Sequence, residues 1–289
     1  MPAPNELTPA QLSRLIGTPD CPRLIDLTLD EDFAEDPYLI PGAERHSHRD
    51  LPALTQDLQG QRAVLICQKG AKLSQGAAAW LAGDGIDAMY LQGGNLGWRG
   101  TSGTIRLTAA ARPPLHDGAT LWVTRHRPKI DRIACPWLIR RFVDRRARFL
   151  FVAPDQVAEV AARFDATPFD IDGVPFSHQG EACSFDTMLD LFGLGSEPLR
   201  RLALVIRAAD TNRHDLHPAA AGLLAISVGL SRQYRNDQDQ LTAGLALYDA
   251  LYRWARDGYD EVHDWPGTAP AQTQTPTQSP TQTKAGDRA

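Results

Sequence analysis

A single cysteine at the end of an apolar run is the residue of this sequence best placed for nucleophilic chemistry. Cys67 directly follows residues 63–66, whose uninterrupted apolar character predicts a buried parallel strand. Open α/β sheets bind ligands at the carboxyl ends of their strands, and a helical pattern begins again at Ser74. Backbone N–H groups near a helix start, and neighbouring ammonium groups, favour a thiolate over a thiol. The pattern therefore predicts a reactive thiol.

The loop after Cys67 carries groups suited to an anionic sulfur donor. Lys69 and Lys72 could hold the anionic end of a small donor, and loop N–H groups such as that of Gly70 could stabilise the product. The thiolate would take the outer sulfur of the donor and become a persulfide, from which a thiol or another nucleophilic acceptor then removes the sulfur. This transfer requires no cofactor. The alternative interpretation is an inert buried cysteine beside solvated lysines.

A second group of ionisable residues begins at a predicted strand-to-helix junction after residue 124. Such a junction is a natural anion site, and arginines supply forked donors for oxyanions. The predicted oxyanion-binding residues are Arg125, Arg132 and Arg140. Later His, Cys and Asp residues could bind a transition-metal ion, because an i,i+4 pair on one helix shares a face. The predicted metal ligands are His178, Cys183, Asp210 and His214. Ion pairs on a helix face and satisfied loop residues are the alternative.

The elements that must position these residues divide the chain in two. Strands alternate with helices over the first hundred residues, which predicts a doubly wound parallel sheet with flanking helices. The second half is predicted to be mixed α+β and largely helical, with strands first and helices later. The predicted divisions are residues 1–102, a linker at 103–118, a second unit at 119–258 and a disordered Pro/Thr/Gln-rich tail at 266–289.

Some elements can be predicted in detail. Thr8 as N-cap, Pro9 at the first helical position and Gln11 three residues after the cap predict the start of the first helix. In the second half the pattern predicts a helix around residues 136–144, a strand at 148–152 and a helix at 154–164. Two further strands, at 169–171 and 174–176, are predicted on either side of a turn.

Composition excludes several function classes. The net charge of −5 argues against a nucleic-acid partner, because phosphate binding needs a basic face. The four cysteines form no C-x-x-C pair, which predicts free thiols in a reducing compartment. The first residues have neither a basic nor an apolar region of a secretory signal, and no apolar run is long enough to cross a membrane. We therefore expect a cytoplasmic protein without a membrane partner.

Four short motifs follow one another in the first half at regular spacing. They are Leu24-Ile25-Asp26, Ile40-Pro41-Gly42-Ala43, Cys67-x-x-Gly70-x-Lys72-x-x-x-x-Ala77-Ala78 and Leu91-x-Gly93-Gly94-x-x-x-Trp98. Through them most of residues 7–100 resemble the rhodanese (sulfurtransferase) domain. The resemblance implies that Cys67 is the nucleophile and that Asp26 is the acidic residue of the first central strand. Asp26 can act on the substrate or tie a loop. Lys72 and Leu73 stand where the family usually has Arg and Ser, and Leu39 stands where it usually has His.

A long uninterrupted stretch carries a second resemblance. The second half carries several motifs, which are the run from Arg125 to Phe142, the strand Phe149-Leu150-Phe151-Val152, the pair Phe169-Asp170, and the later motifs Phe176-x-His178-x-Gly180-x-x-Cys183-x-Phe185 and Ala209-Asp210. They are similar to the C-terminal domain of the chromate resistance protein B family. The resemblance spans residues 121–256. It implies a link to chromate or to oxidative-metal stress, with chromate as a candidate ligand. Members of the family have been viewed as chromate-responsive regulators, with a DNA-binding module where this chain has its first half.

Together these features predict a rhodanese-type sulfurtransferase that forms a persulfide on Cys67. It would be joined to a domain that binds an oxyanion or a metal ion and is linked to chromate resistance. The rival hypothesis is a binding module, in which the first half is catalytically silent and the chain senses chromate, a metal or redox state. Replacement of the family's Arg and Ser by Lys72 and Leu73 motivates the rival.

Overall fold

Eleven strands and eleven α-helices lie within residues 5–261, the part of the chain that the computed structural model describes. The strands are β1 (Glu6–Leu7), β2 (Arg23–Asp26), β3 (Tyr38–Leu39), β4 (Ala43–Arg45), β5 (Arg62–Ile66), β6 (Asp87–Leu91), β7 (Leu107–Thr108), β8 (Leu115–His116), β9 (Ala119–Arg125), β10 (Arg148–Val152) and β11 (Thr167–Pro168). The helices are α1 (Pro9–Leu15), α2 (Asp30–Glu35), α3 (Leu51–Asp57), α4 (Lys72–Gly83), α5 (Gly94–Arg99), α6 (Asp131–Leu138), α7 (Val157–Phe164), α8 (Ser184–Phe192), α9 (Glu197–Asp210), α10 (Ala220–Gln233) and α11 (Asp237–Asp257). The predicted tail at 266–289 lies outside the described residues.

The first half is built on one parallel sheet with the strand order β1-β6-β5-β2-β4. Residues 63–66 of β5 are completely buried, because this strand lies between β6 and β2 and is covered on both faces. The predicted parallel α/β unit is confirmed. Since β5 is the central strand, its carboxyl end places Cys67 in the middle of the edge where such sheets bind ligands.

The first helix begins as its sequence predicts. The Thr8 side chain accepts a hydrogen bond from the Gln11 backbone N–H at 3.2 Å, and the Gln11 side chain accepts one from the Thr8 N–H at 2.9 Å. This reciprocal pair satisfies two N–H groups that have no partner within the helix.

Removing this cap should have a small, measurable effect. We expect Thr8→Ala to lower the free energy of unfolding by about 1 kcal/mol, because one helical N–H loses its acceptor. Urea denaturation followed by circular dichroism measures the change. Thr8→Ser keeps the hydroxyl and should stay within about 0.5 kcal/mol of the parent protein. An equal loss in both variants would contradict the capping role.

The second half starts from a smaller sheet and becomes helical. Strands β10, β9 and β11 pair in parallel, and β8 pairs with β9 in antiparallel orientation. Helices α8 to α11 follow, and α9 packs against α8, α10 and α11. The prediction of a mixed, largely helical second half is confirmed. The strand predicted at 148–152 has the same bounds in β10.

Two local predictions are wrong. Helix α6 begins at Asp131 and not near Pro136, and it continues through the π-helical turn Ile139–Val143. The two strands predicted around Asp172 are absent from the described residues, where only a single bridge joins Phe169 to Phe176. The acidic residues 30–35 form α2, whose first turn holds three acidic residues suited to a helix N-terminus.

The two halves share one hydrophobic core. A single cluster of buried side chains extends from Leu12 and Trp98 in the first half to Trp122, Trp137 and Phe185 in the second. Residues 103–118, predicted as a linker, contain β7, a 3-10 turn and β8.

Polar contacts join the same two halves. β7 pairs with β3, the Gly42 N–H donates to the Phe142 carbonyl at 2.6 Å, and Arg146 pairs with Glu44 at 2.7 Å. No helix among the described residues combines the length and apolar character needed to cross a membrane.

Candidate functional site

Cys67 is the first residue after β5, and the loop that it opens is fixed through its carbonyl groups. The Cys67 and Gln68 carbonyls accept the N–H groups of Asn95 and Leu96 from α5, both at 3.0 Å. The Gly70 carbonyl accepts a hydrogen bond from the side chain of α4 residue Gln75 at 3.3 Å. The loop carbonyls therefore point toward protein donors.

The N–H groups of the same loop are left free. Within residues 5–261, the backbone N–H groups of Gln68, Lys69, Gly70 and Ala71 donate to no protein acceptor. Successive free N–H groups form a concavity that binds anions, and the start of the twelve-residue helix α4 adds a favourable dipole. The arrangement can stabilise negative charge next to the thiol.

The thiol itself has one polar neighbour. Cys67 is 6% exposed, and its Sγ lies 3.1 Å from the Ser74 Oγ, which is also 3.3 Å from the Ala71 carbonyl. The Ser74 hydroxyl can therefore donate to the sulfur when the sulfur is anionic. Sequence reasoning missed this contact. The available signal was a serine seven residues after Cys67, in the first turn of the predicted helix.

The remaining predicted residues of the first half have different surroundings. Lys69 and Lys72 are exposed and form no ion pair within the described residues. Gly70 is buried with φ at +61°, and the loop there contacts the backbone of Gly93 and Gly94. Asp26 is 1% exposed and accepts hydrogen bonds from the Thr28 N–H at 2.8 Å and from the Asn95 side chain at 3.3 Å.

The geometry at Asp26 favours the loop-tying role over contact with substrate. Asn95 also donates its backbone N–H to the Cys67 carbonyl. Asp26 therefore supports residues 67–71, which we call the thiol loop, through α5.

A second cluster of ionisable side chains lies in the second half and comes from four elements. Asp131 is the first residue of α6, Asp170 follows β11, His178 lies in the next loop and Asp210 is the last residue of α9. We call these four residues the Asp–His cluster. The His178 Nε2 is 3.1 Å from the Asp210 Oδ2, 3.5 Å from the Asp170 Oδ1 and 3.6 Å from the Asp131 Oδ2.

The carboxyl groups of the cluster differ in their electrostatics. The pKa of Asp131 is raised well above its ordinary value, first by burial and then by the nearby carboxylates of Asp210 and Asp170. The pKa of Asp210 is also raised, by burial and by Asp170. Burial acts on Asp170 in the same direction, but its interaction with the nearby His178 and the hydrogen bond from Ser184 oppose it. Together with the guanidinium of Arg125 they hold the pKa of Asp170 below its usual value.

His178 is the cationic partner of the cluster. Its interaction with Asp170 and the charges of Asp131 and Asp210 raise its pKa to about 9, against the opposing effect of burial. The imidazole therefore holds a proton among three carboxyl groups at neutral pH, a position that another cation could take instead.

Two of the three arginines predicted to bind an oxyanion lie at the cluster. The Arg125 and Arg132 guanidinium groups pair with the Asp170 Oδ2 at 3.0 and 3.2 Å. Arg140 is elsewhere, donates to the Ala147 carbonyl and lies over the Phe149 ring. The two clustered arginines thus share one carboxylate.

The predicted metal ligands are also divided. The structure brings His178 and Asp210 together. Cys183 is fully buried next to the cluster, and burial raises the pKa of its thiol well above the usual value. His214 is exposed in the turn after α9, which ends at Asp210, and contacts neither His178 nor Asp210 within residues 5–261. Asp210 and His214 therefore do not share a helix face.

Sequence reasoning did not include Asp131 and Asp170 among the ligands. Both residues lie within the motifs that resemble the second family, and this was the available signal, because Asp170 falls inside the strand predicted at 169–171. Asp131, Asp170 and His178 each offer a ligand atom within 4.8 Å of the others.

The backbone before Asp131 is held by the last helix. Arg127 and Ile130 have φ values of +56° and +43°, which are uncommon outside glycine and strained for a β-branched residue. The Asp237 carboxylate accepts the Arg127 N–H at 3.2 Å, and the Tyr248 hydroxyl donates to the Ile130 carbonyl at 3.1 Å. Two residues of α11 thus fix the segment that positions Asp131.

The two sites define a chain with a parallel α/β unit bearing a thiol loop and a second unit bearing a buried carboxylate cluster. Residues 122–255 match the family model described as ChrB, C-terminal domain. Protein ChrB of Cupriavidus metallidurans is 35% identical over 142 residues, which are 49% of this chain and 42% of that protein. The chain therefore spans less than half the length of this curated relative. The resemblance of the second half is confirmed.

Solved structures align with the first part of the chain. A rhodanese-like domain protein from Staphylococcus aureus is 24% identical, with 35% of this chain and 95% of that chain covered and a TM-score of 0.30. A thiosulfate sulfurtransferase from Pseudomonas aeruginosa is 26% identical, with 34% and 18% covered and a TM-score of 0.28. A Saccharomyces cerevisiae homolog of single-domain rhodanese and the Cdc25 phosphatase catalytic domain is 17% identical, with 34% and 82% covered and a TM-score of 0.28.

Proposed function

We propose that the first half is a rhodanese-type sulfurtransferase with Cys67 as its nucleophile. The observation that carries this proposal is the run of four free backbone N–H groups, from Gln68 to Ala71, directly after a cysteine at the carboxyl end of the central strand. These groups stabilise an anionic sulfur and the anionic end of a donor in the same loop.

The reaction that fits this loop is a two-step sulfur transfer. The Cys67 thiolate attacks the outer sulfur of a donor such as thiosulfate, a new S–S bond forms, and the donor's S–S bond breaks so that sulfite leaves with the electron pair. The terminal sulfur of the persulfide is anionic and accepts hydrogen bonds from the loop N–H groups. A nucleophilic acceptor, such as a thiolate, then attacks that sulfur, and Cys67 leaves as a thiolate. Lys69 and Lys72 attract the anionic donor and orient it.

Selectivity among the four cysteines follows from their surroundings. Burial raises the pKa of the Cys21 thiol to about 11 and raises the pKa values of Cys135 and Cys183 well above the usual range. These three thiols stay protonated and inert at neutral pH. We therefore expect sulfur on Cys67 alone.

The test is incubation with thiosulfate followed by intact-mass analysis. The parent protein and Cys21→Ser should each gain the mass of one sulfur atom, and Cys67→Ser should gain none. Reduction with dithiothreitol should remove the added mass, because a thiol is an acceptor for persulfide sulfur. Absence of the gain in the parent protein, or its persistence in Cys67→Ser, would refute the enzyme proposal.

We propose that the second half connects this chemistry to chromate resistance by binding an oxyanion or a metal ion. The support is its match to the ChrB C-terminal domain and the Asp–His cluster. Arg125 and Arg132 both pair with the Asp170 carboxylate, whereas Asp131 and Asp210 offer carboxylate oxygens suited to a cation.

A sensor remains the second candidate function, and the small exposed fraction of Cys67, 6%, favours it. In that case the chain binds chromate or a metal ion and transfers no sulfur. Calorimetric titration of the parent protein with chromate, set beside the thiosulfate test, separates the two functions. Binding without any gain of sulfur would support the sensor, and a gain of sulfur would exclude a silent first half.

A further inference from the structure

We propose that Asp131, Asp170 and His178, with Asp210 beside them, form a binding site for one divalent transition-metal ion. The site gives chemical detail to the binding role proposed for the second half, on which it rests, and it is independent of sulfur transfer at Cys67. This site differs from the set of ligands predicted from the sequence. Cys183 and His214 do not belong to it, and the buried residues Asp131 and Asp170 do.

Two of the three distances from His178 suit a shared ion better than a hydrogen bond, and the third, 3.1 Å to the Asp210 Oδ2, is an ordinary hydrogen-bond distance. Separations of 3.5 and 3.6 Å from the His178 Nε2 to the carboxylate oxygens of Asp170 and Asp131 are too long for good hydrogen bonds. Donor atoms that share one ion at about 2.1 Å lie roughly 3.0–3.5 Å apart. The three groups are therefore nearly spaced as ligands, and only small side-chain movements separate them from coordination.

An unsatisfied buried oxygen at the same place points independently to a ligand. Asp131 is 1% exposed, and its Oδ2 accepts the Ser184 N–H at 2.6 Å, while its Oδ1 has no hydrogen-bond partner in the described structure. A buried carboxylate oxygen without a partner is strongly unfavourable. A metal ion bound by Asp131 would compensate for this lost solvation.

Among the described residues, two carboxyl groups of the cluster have no guanidinium or ammonium partner. Asp170 pairs with two arginines, whereas within residues 5–261 neither Asp131 nor Asp210 forms an ion pair with Lys or Arg. Their only cationic partner is His178, which must give up its proton to ligate a metal. A metal ion could pair directly with these two carboxyl groups.

The ligand types indicate which ions fit. One imidazole nitrogen with carboxylate oxygens suits Mn²⁺, Fe²⁺ or Zn²⁺ better than Mg²⁺ or Ca²⁺, which prefer oxygen ligands throughout. His178 is 41% exposed, so an ion can reach the cluster from solvent on that side. Ser184 and the two arginines hold Asp170 and thereby orient one ligand before the ion arrives.

The experiment is titration of the full chain with Mn²⁺ and with Zn²⁺, measured by isothermal calorimetry. Thermal denaturation with and without each ion is the second measurement. The parent protein should bind one ion per chain, and its Tm should rise with metal and fall when EDTA is added. His178→Ala should weaken binding by about 100-fold or more, because loss of a ligand exceeds the loss of a supporting residue. Mg²⁺ should produce no comparable rise in Tm.

Two further variants keep the test decisive. Asp131→Asn retains the size and one acceptor of the side chain, and it should weaken binding in the same way as His178→Ala. His214→Ala removes a histidine that is exposed and outside the cluster, so it should bind metal as the parent protein does.

The contradicting results are distinct from those that bear on sulfur transfer. The metal site is refuted if the parent protein binds neither ion at millimolar concentration. It is also refuted if both cluster variants retain the parent affinity, or if His214→Ala alone loses it. Each of these results can occur while persulfide formation at Cys67 is retained.

Discussion

Replacing Phe142 with alanine should lower the free energy of unfolding of the whole chain by about 3–5 kcal/mol. Phe142 is completely buried, and its ring contacts Trp137 and Tyr252 with centroid distances of 5.7 and 5.5 Å. The ring also closely approaches Gly17 in the first half. Removal of the ring therefore leaves a cavity in the core that both halves share.

Urea denaturation followed by circular dichroism and by tryptophan fluorescence measures this effect. Both probes should report one coincident transition in the parent protein, because the core is continuous between the halves. Phe164→Ala is the control, since that ring is 52% exposed, and it should change stability by no more than about 0.5 kcal/mol. Two separate transitions, or a loss below about 1 kcal/mol for Phe142→Ala, would contradict a shared core.

Replacing Gly94 with alanine should abolish persulfide formation and lower the free energy of unfolding by more than about 2 kcal/mol. Gly94 has φ at +57°, and a Cβ atom there would overlap the Cys67 carbonyl oxygen and the Gly70 backbone nitrogen. These atoms belong to the thiol loop and cannot move without displacing it. The substitution is therefore expected to change the loop that presents the four free N–H groups.

The thiosulfate mass assay and urea denaturation measure both consequences. Gly76→Ala is a matched control in α4, because a Cβ atom there meets nothing within 4 Å. The control should gain one sulfur atom as the parent protein does, and its helix should be as stable or slightly more stable. Normal sulfur uptake by Gly94→Ala would show that the loop geometry is not needed for the reaction.

Local signals were sufficient where neighbours in sequence determine the structure. The capping box of Thr8 and Gln11 formed as predicted, because both partners lie within four residues. The strand at 148–152 has its predicted bounds in β10, and the central strand β5 was recognised from its apolar residues alone.

Predictions failed where distant residues decide. A helix was predicted around residues 136–144, yet α6 starts at Asp131 with Ile130 in a strained conformation. The hydroxyl of Tyr248, 118 residues further along, donates to the Ile130 carbonyl and helps to hold that start. No local pattern contains such a contact.

The candidate sites were predictable to different degrees for the same reason. Cys67 and its loop occupy one short segment, so the position of the thiol followed from the strand and helix around it. The Asp–His cluster joins residues 131 to 210 from four elements, and spacing alone suggested His178 and Asp210 but also His214. Only the folded structure shows that Asp131 and Asp170 lie beside His178 and Asp210.

The contacts of α11 with the segment before Asp131 affect when, during synthesis and folding, Asp131 can reach its final position. A ribosome makes the residues of the Asp–His cluster well before it makes Asp237 and Tyr248, which hold Arg127 and Ile130 in their strained conformations. Contacts over such long separations require long loops to close, which slows folding. A nascent chain without the last helix would lack the contacts that position Asp131, and the proposed metal site would be complete only after that helix has docked.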